Sequence, residues 1–394
     1  MKHIWILLAL TTSILYSENF EFKYEPGRQF KMISNVDQDV YVNGDLNHQA
    51  NILDKISFKI LEAEDSSGFI SAQFNLTTSH YEQGQVINSL DSQYTSEFWR
   101  DARGHYDIDP SYYMPVARNV PILPDRDIQI GDTWTALGEE VHDLREVYGI
   151  EEPYHLPFVA TYKFEGYRDH DGRSLPVISV KYSINQRTGL EGDLVPLLFQ
   201  VESAQVLFWD PDLGWTTYAK ESYYIKLYLS TGDMYEFTGI AEGYILEVEE
   251  MDRDKVASDI NKDIQDSGLG ETQVVPTEKG VSLVMDDIQF YPDSDELLPG
   301  EEDKLQKIGN ILKKYPSRDL LIEGFTADIG SRDSQLTLSE KRAQKVGSLL
   351  LSWGVRNSDQ LLFRGWGGQK PVATNETEEG RKKNRRVEIT ILEN

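Results

Sequence analysis

A single carboxylate, Asp328, lies between two glycines in the segment GFTADIG, residues 324–330. A strand-like run, residues 320–322, leads into this segment. Glycine permits the tight turns that follow a strand, so the pattern predicts a loop that presents one acidic side chain at the mouth of a strand. Two interpretations stay open at this point: Asp328 contacts a ligand, or it is an ordinary turn or surface residue.

The other polar residues do not form known catalytic or metal-binding patterns. The seven histidines are scattered without an HExxH pattern, and the absence of cysteine argues against a structural zinc site. There is no GxSxG, SxxK or P-loop pattern. With 66 acidic residues, no carboxylate pair can be singled out as a glycosidase site. The sequence therefore predicts no catalytic residue, no metal site and no cofactor.

Length and charge predict two domains of different character. The chain has 394 residues, enough for two domains with separate cores, and a net charge of −27. Residues 281–394 contain 17 Lys and Arg against 19 Asp and Glu, so most of the negative charge belongs to the preceding residues. Nucleic acid is an unsuitable partner because phosphate binding needs a basic surface.

Residues 1–17 are predicted to be an export signal. Lys2 and His3 give a basic start, residues 4–10 are an apolar run, and small or polar residues follow. The apolar run is too short to span a bilayer, which needs ~20 residues, and no later run reaches that length. Because the chain has no cysteine, we expect neither disulfides nor a cysteine-linked lipid, and the exported protein is expected to be soluble.

Residues 18–252 have the pattern of an acidic, β-rich domain. Apolar and polar residues alternate in segments such as 69–76 and 178–184, and turn-forming residues separate these segments. This pattern predicts an all-β domain, either an antiparallel sandwich or an open barrel. Residues 106–157 are rich in proline and aromatic residues and are predicted to be long ordered loops with short strands.

Residues 253–280 are predicted to be a linker with a short helix in its first half, and residues 281–394 a compact α+β domain. The second helix of this domain is expected to begin at the capping box Thr337-x-x-Glu340. The order βαβαββ predicts two helices packed on one face of a mixed sheet. The predicted strands are 281–284, 286–290, 320–324, 361–364 and 387–392, and the predicted helices are 301–315 and 337–353.

The C-terminal pattern resembles a known family. It is similar to the C-terminal domain of OmpA-type proteins, the peptidoglycan-binding module also found in Pal lipoproteins and MotB stator proteins. The acidic β-rich body ahead of it resembles OmpA-related exported proteins of spirochaetes. The resemblance rests on Asp287-Ile288-Gln289-Phe290 with Asp293-Ser294, Ile322-Glu323-Gly324-Phe325-Thr326, Leu338-Ser339 with Arg342-Ala343, Gly365-Trp366-Gly367, Pro371-Val372-Ala373 with Asn375, Thr377 and Gly380-Arg381, and Asn384-Arg385-Arg386-Val387-Glu388.

The resemblance implies a ligand and the residues that bind it. In the family, a groove takes the diamino acid of the peptidoglycan stem peptide, which offers an ammonium and a carboxylate. A guanidinium and an anion held apart on rigid elements suit such a group. The resemblance assigns the guanidinium to Arg342. For Arg385, a ligand contact and an ion pair at the sheet edge stay equally open. The remaining residues implied to shape or line the groove are Thr326, Gln335, Leu338 and Asn384.

The anion is where this sequence departs from the family. An alignment without gaps places Ala327 at the position where the family usually has Asp, and Asp328 follows one residue later. In an extended segment, a shift of one residue turns a side chain to the opposite side, although a loop between glycines can still bring Asp328 into the groove. If the anion has moved, the preferred diamino acid is expected to differ from meso-diaminopimelate, with ornithine as one alternative.

Two functions follow as hypotheses. The first is a non-enzymatic, exported envelope protein, periplasmic and associated with peptidoglycan, whose β domain binds another envelope or outer-membrane protein. The inner face of the outer membrane is a candidate position for it. The alternative is an enzyme that acts on cell wall or glycan through the β domain, with the OmpA-like module serving to target it. A cleft in the β domain with converging carboxylates or a metal would favour the alternative.

Overall fold

A computed structural model describes residues 17–82, 85–269, 272–285 and 289–393. The predicted export signal therefore lies outside the described residues, apart from Ser17. The predicted strand 286–290 also lies largely outside them. Among the helices that are described, none is both long enough and apolar enough to cross a membrane.

The first part of the chain is built from long antiparallel strands and one short helix, α1 (Arg145–Tyr148). The strands are β1 (Ser17–Glu18), β2 (Gln29–Val42), β3 (Asp45–Glu64), β4 (Ser67–Glu82), β5 (Gln85–Arg100), β6 (Tyr106–Ile108), β7 (Ala117–Arg118), β8 (Ile128–Gln129), β9 (Thr133–Leu144), β10 (Ile150–His170), β11 (Arg173–Arg187), β12 (Pro196–Asp210), β13 (Trp215–Leu229) and β14 (Met234–Val248).

These strands form one continuous antiparallel sheet whose two ends share a core. The strands pair in the order β9–β10–β11–β12–β13–β14–β2–β3–β4–β5–β6. Buried residues of β4 and β5, such as Phe74 and Phe98, belong to the same cluster as Phe158 of β10 and Val180 of β11. The inward positions alternate along each strand, as the sequence pattern requires. The prediction of an all-β, antiparallel domain is confirmed.

The prediction for residues 106–157 is correct only in its first half. Short strands and loops extend to Gln129, but β9 and β10 are long strands. Two prolines, Pro153 and Pro157, made β10 look irregular in the sequence. Both precede Thr161, the first residue of β10 that pairs with β11, so this part of β10 pairs with β9 only. A proline is tolerated where its strand edge has no hydrogen-bonding neighbour.

The second part of the chain is an α+β domain with a mixed sheet, as predicted. Its strands pair in the order β15–β16–β19–β17–β18, and only β17 and β18 are parallel. Buried residues of α2, α3 and α4 share one core with the sheet. The elements are α2 (Arg253–Asp266), β15 (Thr272–Thr277), β16 (Gly280–Met285), α3 (Glu301–Leu312), β17 (Leu320–Gly324), α4 (Arg332–Ser352), a 3₁₀ turn (Ser358–Gln360), β18 (Leu361–Gly365), α5 (Glu378–Asn384) and β19 (Val387–Leu392).

The segment predicted as a linker, 253–280, contains packed structure instead. Helix α2 buries Ala257, Ile260 and Ile264 in the core of the α+β domain. Strand β15 pairs antiparallel with β16 at the edge of the sheet. The polar composition of β15 concealed it because an edge strand exposes much of its surface to water. The domain boundaries themselves stay a prediction.

Two helix boundaries also differ from the prediction. Helix α4 begins at Arg332, and the side chain of Ser331 caps it by accepting a hydrogen bond from the backbone N–H of Ser334. The prediction that this helix begins at a Thr337 capping box is therefore wrong. An additional helix that was not predicted, α5, ends at Asn384, shortly before the last strand. Thr377 caps that helix by accepting a bond from the Gly380 backbone at 3.1 Å. The helix thus separates the last two strands of the predicted order.

The two domains are in direct contact. Leu321 and Leu362 lie on the sheet face of the α+β domain that points away from its helices, and they pack with Leu90 of β5. Asp319 accepts hydrogen bonds from Lys55, at 2.8 Å, and from Lys31. Both lysines come from the β domain, and Lys55 and Asp319 are fully buried. The domain interface therefore contains both an apolar patch and a buried charge cluster.

Candidate functional site

A groove of about 500 Å³ crosses the α+β domain between helix α4, the loop after β17, the segment 289–293 and helix α5. The GFTADIG loop, which follows strand β17, lies along one side of the groove. Successive turns of α4 lie along the other side. Five of the seven predicted residues line it, namely Thr326, Gln335, Leu338, Arg342 and Arg385. Asp328 and Asn384 are not among the lining residues.

Arg342 is a buried cation at the groove, with 4% of its surface exposed. Its Nε donates to the carbonyl oxygen of Ser294 at 3.0 Å, and its guanidinium lies 4.9 Å from the ring centroid of Phe290. Burial, together with the positive charge of Arg385, lowers the pKa of Arg342, while Asp293 and Asp295 act in the opposite direction. An arginine stays charged despite such a shift, so the groove has a positioned guanidinium.

Thr326 contributes a polar side chain that has no partner of its own. Its backbone N–H donates to the carbonyl of Gly367 at 2.8 Å, which holds the loop against the segment after β18. The residue is 7% exposed, and within the described residues its hydroxyl makes no hydrogen bond. Because a buried hydroxyl without a partner costs free energy, this atom is well suited to contact a ligand.

Gln335 fixes the shape of the loop that contains Asp328. Its Nε2 donates to the Asp328 carboxylate at 3.1 Å and to the Gly330 carbonyl at 3.2 Å. Its Oε1 accepts from the backbone of Gly368 at 2.9 Å. Asp328 is thereby held on the exposed side of the loop, and Ala327 lines the groove instead of Asp328.

Asn384 supports the same loop from behind. Its Oδ1 accepts from the backbone of Val372 at 2.9 Å and of Ala373 at 3.0 Å, and its Nδ2 donates to Asn375 Oδ1 at 2.9 Å. Asn375 Oδ1 in turn accepts from the backbone N–H of Asp328 at 3.1 Å. Asn384 is therefore a positioning residue, two hydrogen bonds away from the GFTADIG loop.

Two acidic residues that were not predicted line the groove, Asp293 and Glu378. Glu378 forms ion pairs with Arg385 and Arg381. Asp293 makes no hydrogen bond or ion pair with another described residue, and its backbone has a positive φ of 53°, a conformation in which Asp is enriched. The sequence signal for Asp293 was its place in the family pattern. Glu378 had no such signal in the sequence, because helix α5, which carries it, was not predicted.

The fold and the groove define a small α+β domain with charges of both signs at one site. Residues 289–385 match the OmpA family, and this part of the chain is an OmpA-family domain. The resemblance expected from the sequence is thus confirmed for the C-terminal region. The match covers roughly the last quarter of the chain and leaves the β domain unassigned.

Similar proteins come from several bacteria. A probable lipoprotein of Escherichia coli, YiaD, is 32% identical over 136 residues, which are 33% of this chain and 62% of that protein. The peptidoglycan-binding protein ArfA of Mycobacterium tuberculosis is 38% identical over 104 residues, 26% of this chain and 32% of ArfA. The matched part thus spans less than two thirds of each relative. An outer membrane protein structure from Borrelia burgdorferi has 41% identity and a TM-score of 0.27, covering 31% of this chain and 96% of that chain.

The β domain contains buried carboxylates, the feature that bears on an enzymatic role. Tyr182 donates to Glu140 at 2.8 Å, and Ser203 and Gln205 donate to Glu221 at 2.6 and 3.2 Å. Burial raises the pKa of Glu221. Glu140 is thus contacted by Tyr182 of β11 and by His142 of its own strand, and Glu221 by two residues of the adjacent strand β12. Across the described ranges, no group of three or more His, Asp or Glu is placed to hold a metal ion.

Gly324 is required where β17 passes under α4. A Cβ added at this residue would lie 2.0 Å from the carbonyl oxygen of Ser339. We therefore expect Gly324→Ala to lower the free energy of unfolding by about 1–3 kcal/mol, as overpacking does, in urea denaturation. Gly243→Ala is the control, since its Cβ would meet no atom closer than 3.6 Å. An equal effect of both changes would contradict the close approach.

Proposed function

We propose that this chain is a non-enzymatic, exported envelope protein that binds peptidoglycan non-covalently through the groove of its OmpA-family domain. The observation that carries the proposal is a buried guanidinium, Arg342, that lines the same groove as a carboxylate, Asp293, which has no hydrogen bond or ion pair among the described residues. The relative named as peptidoglycan-binding, ArfA, supports the same ligand.

The groove suits the free end of a diamino acid. Arg342 has donors left after its bonds to the carbonyl oxygens of Ser294 and Tyr291 and offers them to the carboxylate of the ligand, because a guanidinium forks onto a carboxylate. Asp293 accepts the ammonium, in place of the acid that Ala327 lacks. The hydroxyl of Thr326 completes the contact. Arg385, held by Glu378, adds positive charge at the same end of the groove.

The position of the anion is proposed to determine which diamino acid is preferred. Ala327 gives the groove a methyl group where a carboxylate would otherwise contact the ammonium. A diamino acid such as ornithine ends in an ammonium without a carboxylate, so it depends on the anion more than on Arg342. We expect stem peptides with meso-diaminopimelate and with ornithine to compete unequally for the protein. Equal affinities would contradict this proposal.

The direct test is co-sedimentation of the purified protein with isolated sacculi. The protein is expected in the pellet, and an excess of soluble stem peptide should lower the fraction that sediments, because the soluble peptide competes with the wall for the same groove. Sacculi stripped of stem peptides by an amidase are the control for binding to the glycan. Sedimentation that soluble stem peptide leaves unchanged would contradict the proposal.

The β domain is proposed to bind a separate envelope or outer-membrane protein, and the periplasm is the proposed location. The export signal predicted in residues 1–17 and a peptidoglycan ligand both favour this compartment. Cross-linking in intact cells, followed by affinity purification, should recover an envelope protein with the full chain. The same protein should be absent when the β domain is deleted.

Two aspartates near the loop allow a matched comparison. Asp293→Asn is expected to weaken the binding of stem peptide about tenfold, about 1.4 kcal/mol, because the ammonium loses its anion. Asp328→Asn is expected to leave affinity nearly unchanged, because that side chain bonds Gln335 on the exposed side of the loop. Calorimetric titration measures both. The reverse ranking would assign the anion to Asp328.

A further inference from the structure

A second groove, of about 590 Å³, lies where the β domain meets the α+β domain. Its floor is the outer face of β3, β4 and β5, at the part of the sheet that the α+β domain leaves uncovered. Its wall includes Arg253 at the start of α2, Lys279 in the β15–β16 turn, and Leu392 and Glu393 at the end of β19. Ligand sites occur preferentially at such domain interfaces.

Most of the floor of this groove consists of uncharged hydrogen-bonding side chains in register, and Lys59, which is paired with Glu250, adds one charge. Ser57, Gln73 and Thr95 lie opposite one another on three adjacent strands. Asn75 and Gln93 form the next cross-strand pair. Side chains at paired positions project from the same face of a sheet, so hydroxyls and amides form a flat polar surface.

Asn75 holds the two glutamines of the floor in place. It is only 2% exposed, and its Oδ1 accepts from Nε2 of Gln73 at 3.2 Å and from Nε2 of Gln93 at 2.7 Å. The amide nitrogens of both glutamines are thereby turned inward, which leaves their carbonyl oxygens as acceptors for a ligand. The floor is preorganised, and preorganisation lowers the cost of binding.

The wall adds apolar contacts and charged side chains, and two of these charges, Arg253 and Glu393, neutralise each other. Leu61 and Val248 offer aliphatic surface beside the polar floor, whereas Leu392 is buried. Arg253 forms an ion pair with Glu393, so these side chains are fixed as well. Neutral donors and acceptors next to aliphatic surface match a ligand with many hydroxyl groups, amide N–H donors and short apolar parts.

We propose that this second groove binds an oligosaccharide of N-acetylated hexosamines. The carbonyl oxygens of Gln73 and Gln93 accept hydrogen bonds from the N–H groups of the acetamido substituents, Ser57 and Thr95 bind sugar hydroxyls, and Leu61 contacts the acetamido methyl. This site is independent of the stem-peptide groove. The proposal gives the β domain a contact with glycan. Neither the family match, which covers residues 289–385, nor the sequence pattern predicts this contact.

The test is calorimetric titration of the purified full chain with the β-1,4-linked tetramer of N-acetylglucosamine and with the corresponding glucose tetramer. The acetylated tetramer is expected to bind at least tenfold more tightly than the glucose tetramer. Q73A/Q93A is expected to lose at least tenfold of that affinity. Thr95→Arg, which fills the floor with a large side chain, is expected to abolish binding. Absence of binding by the wild type, or equal affinity for both tetramers, would overturn the proposal.

Controls separate this site from the stem-peptide groove and from general loss of structure. Gln200→Ala removes a similar cross-strand amide bond, to Asn185 on β11, and should leave the affinity unchanged. Arg342→Ala should bind the tetramer as the wild type does, even where it no longer binds stem peptide. Glycan strands freed of stem peptides should bind like the tetramer, which identifies the cell wall as the source. Binding of the tetramer without binding of these strands would overturn the assignment to wall glycan.

Discussion

Replacement of Arg342 by alanine is expected to weaken the binding of peptidoglycan stem peptide about 100-fold, which is about 2.7 kcal/mol. The guanidinium is 4% exposed and lies in the groove. Removing one partner of a buried charge pair costs about 2–5 kcal/mol because the other partner is left unpaired. Calorimetric titration with soluble stem peptide measures the loss, and co-sedimentation with sacculi should fall accordingly.

Two further variants make this result interpretable. Arg342 also supports the backbone of Ser294, so thermal unfolding must show that the alanine variant is folded. Arg342→Lys keeps the charge but not the forked geometry, and it is expected to recover only part of the affinity. Arg332→Ala removes an exposed arginine at the start of the same helix and should bind as the wild type does. Undiminished binding by folded Arg342→Ala would contradict the groove assignment.

Replacement of Asp319 by alanine is expected to lower the free energy of unfolding by about 3–5 kcal/mol, because it leaves Lys31 and Lys55 in the domain interface without their carboxylate. Urea denaturation measures the change. Asp328→Ala, at an exposed position, is the control and should change stability little. Adding Lys31→Met and Lys55→Met to Asp319→Ala should restore much of the loss, since apolar side chains tolerate burial. A loss below about 1 kcal/mol would contradict the role of the cluster.

The same cluster predicts a dependence on pH. Burial alone would raise the pKa of Asp319, but the charges of Lys55 and Lys31 lower it below its usual value. A carboxylate with a lowered pKa stabilises the fold above the unfolded pKa, about 3.9, and loses this contribution as the pH falls through the folded value. The difference between wild type and Asp319→Ala is therefore expected to be constant from about pH 5 to 8 and to shrink below about pH 4.

Sequence periodicity predicted most of the fold because each core position repeats at the spacing of its element. Its errors have local causes. The start of α4 was misplaced because Thr337 and Glu340 imitate a capping box, whereas Ser331 is the true cap. Strand β15 was taken for a linker because its pairing partner, β16, determines its structure. A polar edge strand gives no periodic signal of its own.

The candidate site was predicted better on the helix than in the loops. Helical spacing places Gln335, Leu338 and Arg342 on one side of α4, and all three line the groove. The direction of the Asp328 side chain depends on Gln335, and Asp293 reaches the groove through a loop that packs on Arg342. These contacts join residues distant in sequence, so spacing alone could not reveal them. Their roles in ligand binding stay predictions.

The contact between the two domains has a mechanical consequence. The sheet of the α+β domain lies against β5 through Leu90, Leu321 and Leu362, and the buried charge cluster adds a second point of attachment. Tension applied at a groove anchored in the wall would therefore reach the β domain through packed side chains rather than through an extensible tether. The two domains would therefore move together under load, with little change in the distance between them.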